Sequence, residues 1–336
     1  MKELILAMLT ESGGHYLSGE AMSEALGVSR AAVWKAIDAL RADGCEIEAA
    51  PRRGYRLEAA PDRLTEGTIL PHLPADRAGR LICLDSVDST NNYAKALALD
   101  GAGFADGTAI AADGQTGGRG RLGRSFQSPK GKGVYLTMLW KPPVEPMRAV
   151  NLTAYAAVAV CDGIEEAVGV RPSIKWTNDI VLGGKKLSGI LTEMAVEGES
   201  GALQYLICGI GINANHAPED FSDDVRPIAT SLAQQLGHPV DRGKLCACVI
   251  AAMDRMYGTW LAGGGDCWER YRDGCVTLGK PVRLLRGDRT EEAFAEALAP
   301  DFGLIVRHPD GTRETVTTGE VSVRGLWGYA GTSESL

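Results

Sequence analysis

Positive charge is in short supply: 35 lysines and arginines stand against 43 aspartates and glutamates, a net charge of -8. That balance excludes a protein that coats nucleic acid or an anionic membrane along its whole length. No C-x-x-C pair occurs among the eight cysteines, and none lies at zinc-ligand spacing from the five histidines. Scattered thiols of this kind suit a reducing cytosol and argue against a disulfide scaffold. No apolar run approaches the length of a membrane span. The segment MKELILAMLTES carries Glu3 at its head and only six apolar residues in a row, so a secretory signal is not expected. The expectation is a cytoplasmic protein with no membrane partner. Its 336 residues, 45% of them hydrophobic, suffice for two or three domains with cores of their own.

Residues 1–60 carry one pattern. KELILAMLTES is an amphipathic helix, and SGEAMSEALGVSRAAVWKAIDALRADG is helix, turn, helix, with Ser18 and Ser29 as caps and Gly27 as the break. CEIEAAPRRGYRLEAA then alternates on either side of Pro-Arg-Arg-Gly, which predicts strand, turn, strand. Three helices and a basic-tipped hairpin make a winged helix-turn-helix. Its second motif helix would enter the major groove, opened by Ser29 with Arg30 and Lys35 on its leading half, while Arg52 and Arg53 reach phosphate or the minor groove. Basic and acidic residues nearly balance over this module, so a protein-interaction role is the competing reading.

Residues 61–80, rich in proline, are read as a linker. From 81 to 272 strands and helices alternate, several strands following one another through short loops, which predicts an α/β or α+β domain with a partly antiparallel sheet. Residues 273–330 read as a small SH3-like β-barrel, and 331–336 as a tail. The architecture expected is therefore multidomain.

The stretch GGRGRLGRSF, residues 117–126, contains a literal G-x-G-x-x-G at Gly118, Gly120 and Gly123. A dinucleotide fingerprint needs a helix to start inside the motif, because the pyrophosphate rests on that helix's N-terminus. Here Ser125, Pro129, Gly131 and Gly133 follow instead, then the strand VYLTMLW. A kinase reading fails as well: Asp301-Phe302-Gly303 lies at a hairpin turn, with no V-A-I-K strand or H-R-D loop before it. What remains is a loop whose backbone N–H groups and three arginines suit an anion, ordering when a phosphate ligand fills it.

Five motifs occur in order: DSTN at 88–91, GRGRLGR at 118–124, KWTND at 175–179, KLSGIL at 186–191 and GIGIN at 209–213. Together with the N-terminal winged helix and the ending GEVSVRGLWGY, they resemble the biotin–protein ligases, in particular the bifunctional kind that also represses biotin-synthesis genes. The resemblance covers essentially the whole chain. It implies an ATP-dependent ligase that forms biotinyl-5′-adenylate and passes biotin to a lysine of a biotin carboxyl carrier domain, with Mg²⁺ as cofactor. It implies that Ser89, Thr90, Asn91 and Gln115 meet the ureido head group. Arg119, Gly120 and Arg121 would fold over biotin and the phosphates, while Lys186 bridges the biotin carboxylate and the α-phosphate. Gly118, Arg124, Lys175, Asn178 and Asn213 would serve the nucleotide, and Asp179 would hold Mg²⁺ or position the incoming lysine. Trp176 is expected as wall or core. Thr177 stands where the family usually has proline, a departure that alters local stiffness and not chemistry. Operator DNA and a homodimer formed on ligand binding are the further partners implied. A lipoate–protein ligase and a non-catalytic biotin sensor are the competing readings; the arginine loop and winged helix disfavour the first, and retention of Lys186, Arg119 and Arg121 the second.

Overall fold

The computed structural model describes residues 1–100, 103–286, 289–317 and 320–323. The expected tail, and most of the ending GEVSVRGLWGY, lie outside the described residues.

The N-terminal module consists of α1 (Lys2–Glu11), α2 (Gly19–Leu26), α3 (Arg30–Ala42) and the hairpin β1 (Glu46–Ala50) and β2 (Gly54–Ala59). Ser18 and Ser29 each accept a hydrogen bond from the third residue onward, Ala21 N at 3.0 Å and Ala32 N at 3.2 Å. These caps satisfy amides that a helix start otherwise leaves unpaired. Val33, Ala36, Ile37 and Leu40 bury one stripe of α3 against Ile5, Leu9 and Met22, the spacing expected of a helix with one apolar face.

The segment expected as a linker is built into the central domain instead. It contains α4 (Glu66–Ile69) and two 3₁₀ turns; Leu64, Ile69 and Arg77 are buried. Arg77 holds both carboxylate oxygens of Asp254 at 2.8 Å. Proline content marked the segment as irregular, but its apolar side chains pack onto the domain and Arg77 and Asp62 pair with residues of α9. Glu3 of α1 accepts from Gly67 N of α4 at 3.3 Å, so the winged module rests directly on this segment.

The central domain runs β3 (Leu81–Leu84), α5 (Thr90–Leu99), β4 (Thr108–Ala112), β5 (Val134–Trp140), α6 (Pro146–Ala149), α7 (Leu152–Val168), β6 (Ser173–Lys175), β7 (Asp179–Leu182), β8 (Lys185–Val196), β9 (Leu203–Ile212), α8 (Leu232–Leu236), α9 (Arg242–Leu261) and α10 (Cys267–Gly274). Its seven strands lie in the order β3-β4-β5-β9-β8-β7-β6. Only β3 and β4 pair in parallel, and every other neighbouring pair is antiparallel. Leu136, Met138, Cys208 and Ile210 point to the face covered by α7 and α9 and join the main core. Their alternates on β5 and β9, including Thr137, Gly209 and Gly211, face the other way, where α5 covers only part of the sheet.

At the C-terminus, β10 (Pro281–Arg286), β11 (Arg289–Leu298), β12 (Leu304–Arg307), β13 (Arg313–Val316) and β14 (Glu320–Val323) form one antiparallel sheet in the order β13-β12-β11-β10-β14, which fits the SH3-like barrel. The Asp-Phe-Gly tripeptide is the joint of this module to the rest. Phe302 packs edge-on against Tyr155 and Tyr271, and its carbonyl accepts from Trp176 Nε1 at 2.8 Å.

Arg242, fully buried at the start of α9, ties three segments together. Its guanidinium donates to Asp62 Oδ2 and Asp113 Oδ1, each at 2.8 Å, and to the Gly133 carbonyl at 3.0 Å. Removing one partner of a buried pair strands the other's charge, at a cost of about 3–5 kcal/mol. Arg242→Met is therefore expected to lower unfolding stability by roughly that amount, read as a drop in the urea midpoint; a loss within experimental error would mean that Asp113 does not depend on the pair.

Candidate active site

A cavity of about 340 Å³ opens on the sheet face opposite α7 and α9, a size suited to a small molecule. Its floor is bare backbone. A Cβ added at Gly209 would stand 2.2 Å from Asn91 Oδ1, and one at Gly211 would stand 2.5 Å from the Phe126 ring. Only glycine lets these groups lie against the strand.

One set of residues at the cavity is neutral and polar. Ser89, at the N-terminus of α5, makes no capping hydrogen bond to the helix and lines the cavity. Gln115 Oε1 accepts from Thr90 N at 2.9 Å, while Gln115 Nε2 donates to Ser128 Oγ at 2.8 Å. Thr137 Oγ1, buried within an otherwise apolar strand, lies 2.8 Å from Thr90 Oγ1 and 2.7 Å from Asn91 Oδ1. Hydroxyls and amides held this way can match a ligand with both N–H and C=O groups.

A second set is charged. Lys186 Nζ lies 2.7 Å from Asp179 Oδ1, and Lys175 Nζ lies 3.8 Å from Asp179 Oδ2. Among the described residues, Asp179 is the one acidic residue in the cavity wall, shared between two lysines and held by the β6–β7 turn. In that turn the Trp176–Thr177 peptide is cis. Asn178 Oδ1 accepts from Arg121 Nη1 at 2.9 Å and Asn178 Nδ2 donates to the Ile190 carbonyl at 2.9 Å. Among the described residues, no group of three or more His, Cys, Asp or Glu side chains could hold a metal ion.

The arginine loop is a small hairpin over the opening. Phe126 N donates to the Gly118 carbonyl at 2.9 Å and Gly120 N to the Arg124 carbonyl at 2.7 Å, around a turn at Leu122 with φ 55°. Arg119, Gly120, Arg121 and Arg124 all line the cavity.

The sequence candidates thus converge, with two exceptions. Asn213 is buried away from the cavity, its amide donating to the Thr230 carbonyl at 3.0 Å; it ties the end of β9 to the segment before α8. Gly118 is likewise not in the wall; a Cβ there would stand 2.3 Å from the Phe126 carbonyl oxygen, so glycine is needed for the hairpin limbs to meet. Ser128, Thr137, Glu193, Phe126 and Leu285 were not singled out from the sequence. Thr137 could have been noticed as a polar residue inside VYLTMLW, and Glu193 as sharing a strand face with Gly189. Leu285, which reaches the cavity from β10, leaves no local signal.

In the N-terminal module, Ser29 is the α3 cap and Lys35 is exposed, beside Trp34 with 54% of its surface open. Arg30 is ion-paired with Glu20. Arg52 and Arg53 stand exposed at the hairpin tip, the Arg53 guanidinium lying 3.9 Å from the Tyr16 ring centroid.

Residues 83–213 match the biotin/lipoate A/B protein ligase family, residues 2–56 an HTH domain and residues 277–324 the biotin protein ligase C terminal domain. The chain is 40% identical to the bifunctional ligase/repressor BirA of Bacillus subtilis (strain 168), over 85% of this chain and 88% of that protein. It is 32% identical to the protein of the same name from Escherichia coli (strain K12), over 95% and 96%. Among solved structures it resembles the biotin protein ligase of Aquifex aeolicus in complex with biotin and ATP, at 28% identity and a TM-score of 0.61, covering 73% of this chain and 98% of that one.

Proposed function

The chain belongs to the biotin protein ligase family, and on that premise we propose how its own residues carry the reaction. It is an ATP-dependent ligase that activates biotin as biotinyl-5′-adenylate and transfers it to a lysine of a biotin carboxyl carrier domain; the helix-turn-helix adds the repressor role that its bifunctional relatives are named for. The single observation carrying the site assignment is that one cavity gathers two sets of groups, the neutral hydrogen-bonding Ser89, Thr90, Asn91 and Gln115 and the cationic Arg119, Arg121, Arg124, Lys175 and Lys186. A ureido ring with an apolar tail and a carboxylate needs the first, and a triphosphate needs the second.

Ser89, Thr90, Asn91 and Gln115 take the ureido group. Phe126 and the glycine floor flank the apolar part. A biotin carboxylate oxygen attacks the α-phosphorus and pyrophosphate leaves with the electrons of the broken P–O bond. The reactants are both anions, so the principal work is neutralisation and alignment, supplied by Lys186 with Arg119, Arg121 and Arg124. Lys175 and Asn178 serve the nucleotide, Asn178 also anchoring Arg121. In the second step the carrier's lysine amine attacks the acyl carbon, loses its proton, and AMP departs. The hairpin lid shields the mixed anhydride from water meanwhile. Asp179 is assigned to holding Lys186 and Lys175 in place. Its oxygens face the two ammonium groups and, among the described residues, no second acidic group joins it in the cavity wall, so these residues do not fit a protein-held Mg²⁺ and no step is routed through one.

For the second activity, the exposed Lys35, Arg52 and Arg53 support phosphate contact on either side of α3, with Ser29 and Arg30 at the helix start. Ligand-linked pairing of two chains through the central sheet is supported by β8, which β7 flanks only as far as Gly189, leaving Met194 and Val196 exposed beyond it.

Biotin-dependent pyrophosphate release from ATP, run beside a lipoate control, tests the ligase assignment. Lys186→Ala is expected to lower the rate about 10²–10³-fold; equal release with lipoate, or an unaffected mutant, would overturn the substrate or the lysine's role. Gly209→Ala should raise the KM for biotin at least about tenfold, because the new methyl displaces Asn91; an unchanged KM would remove Asn91 from the ureido site. Analytical ultracentrifugation should show a monomer shifting to a dimer when biotin and ATP are added, and an unchanged monomer at micromolar concentration would count against the switch.

A further inference from the structure

Glu193 lies on β8 where the cavity floor meets the hairpin lid. Its carboxylate accepts from Asn91 Nδ2 at 2.9 Å, Lys95 Nζ at 2.7 Å and Arg119 Nη1 at 3.2 Å. The floor, the α5 helix and the lid therefore share one acidic group, 20% of whose side chain is open to solvent.

Proton bookkeeping restricts how this cluster can be arranged. An amide oxygen cannot donate, so the Thr137 hydroxyl gives its proton to Asn91 Oδ1. The Asn91 amide nitrogen must then face Glu193, since the flipped amide would set an oxygen against the carboxylate. Glu193 selects the orientation in which Asn91 is presented to the cavity. The same carboxylate holds Arg119, 42% exposed on the lid, and Lys95 binds the same oxygen, Oε1.

We propose that Glu193 is a positioning residue for adenylation: it locks Asn91 into the floor and holds Arg119 until the phosphates of ATP take that arginine over, thereby setting the apparent affinity for ATP. This rests on the biotin ligase reading above. Lys95 moderates the hold, because a carboxylate that also neutralises a lysine attracts the arginine less.

Two substitutions around the same carboxylate should act in opposite directions. Glu193→Gln keeps an oxygen for Asn91 but removes the charge that holds Arg119, so the KM for ATP falls. Lys95→Met leaves the carboxylate to Arg119, so the KM for ATP rises. Each change is expected to be about two- to five-fold, the range of a partly exposed ion pair, with the KM for biotin nearly unmoved. Biotin-dependent pyrophosphate release at varied ATP and varied biotin reads all four constants. A shift of both variants in the same direction, no shift in ATP dependence, or a change confined to biotin would overturn the proposal. If Glu193→Gln does not fold, the sign for Lys95→Met decides alone. A wild-type enzyme without biotin-dependent release would instead defeat the ligase reading, and this inference with it.

Discussion

The two-residue repeat of an extended strand governs this molecule, because one sheet must hold a dry core on one face and a wet, charged reaction on the other. Leu136, Met138, Cys208 and Ile210 supply the first face. Thr137, Gly209 and Gly211 occupy the intervening positions, where side chains are either hydroxyl or missing. A one-residue slip in β5 would turn Met138 toward the cavity and Thr137 into the helix layer. The antiparallel register between these strands, Thr137 opposite Gly209, therefore bears on the fold and on the site together.

Charge is distributed under a similar constraint. A cavity that gathers cations for phosphates must keep them apart, or compensated, when phosphates are not bound. Asp179 does this between Lys186 and Lys175, and Glu193 between Lys95 and Arg119. Each acid lies on a strand or at its edge, whereas the arginines lie on the hairpin over the opening. The acids are consequently the fixed points and the lid the movable one, which suits a reaction that must admit a polyanion and then exclude water.

The C-terminal joint shares the apolar core of the central domain, Val282, Leu284 and Phe302 included, and the N-terminal joint adds specific polar contacts. Arg242 and Arg77 bind the segment between the first two modules into the central core, and Glu3 reaches that segment from α1. At the other end, the Phe302 carbonyl takes the Trp176 indole N–H, while Trp176 itself lines the cavity beside Leu285 of β10. The N-terminal and C-terminal modules are thereby both within a few contacts of the residues assigned to catalysis, a short physical path for coupling ligand occupancy to the surfaces outside the cavity.

Local signals in the sequence determined the helix caps, the winged hairpin, the strand runs and the five ligand motifs, because each depends on neighbours a few residues apart. Ser29 caps a helix whatever lies elsewhere, and a Gly-Arg hairpin suits anions in any fold. The tertiary structure alone decided the rest. Asn213 sits within a motif yet turns into the core, since the end of β9 needs its amide on Thr230. Gly118 belongs to the fingerprint but serves the closeness of two hairpin limbs. Residues 61–80 read as a linker because composition does not reveal that Arg77, buried, meets Asp254, far away in the chain. Glu193 meets Asn91, Lys95 and Arg119 only once β8, α5 and the lid are brought together. Spacing along a chain reports what a segment can form; which carboxylate a cation meets depends on contacts between segments, and those exist only in the folded state.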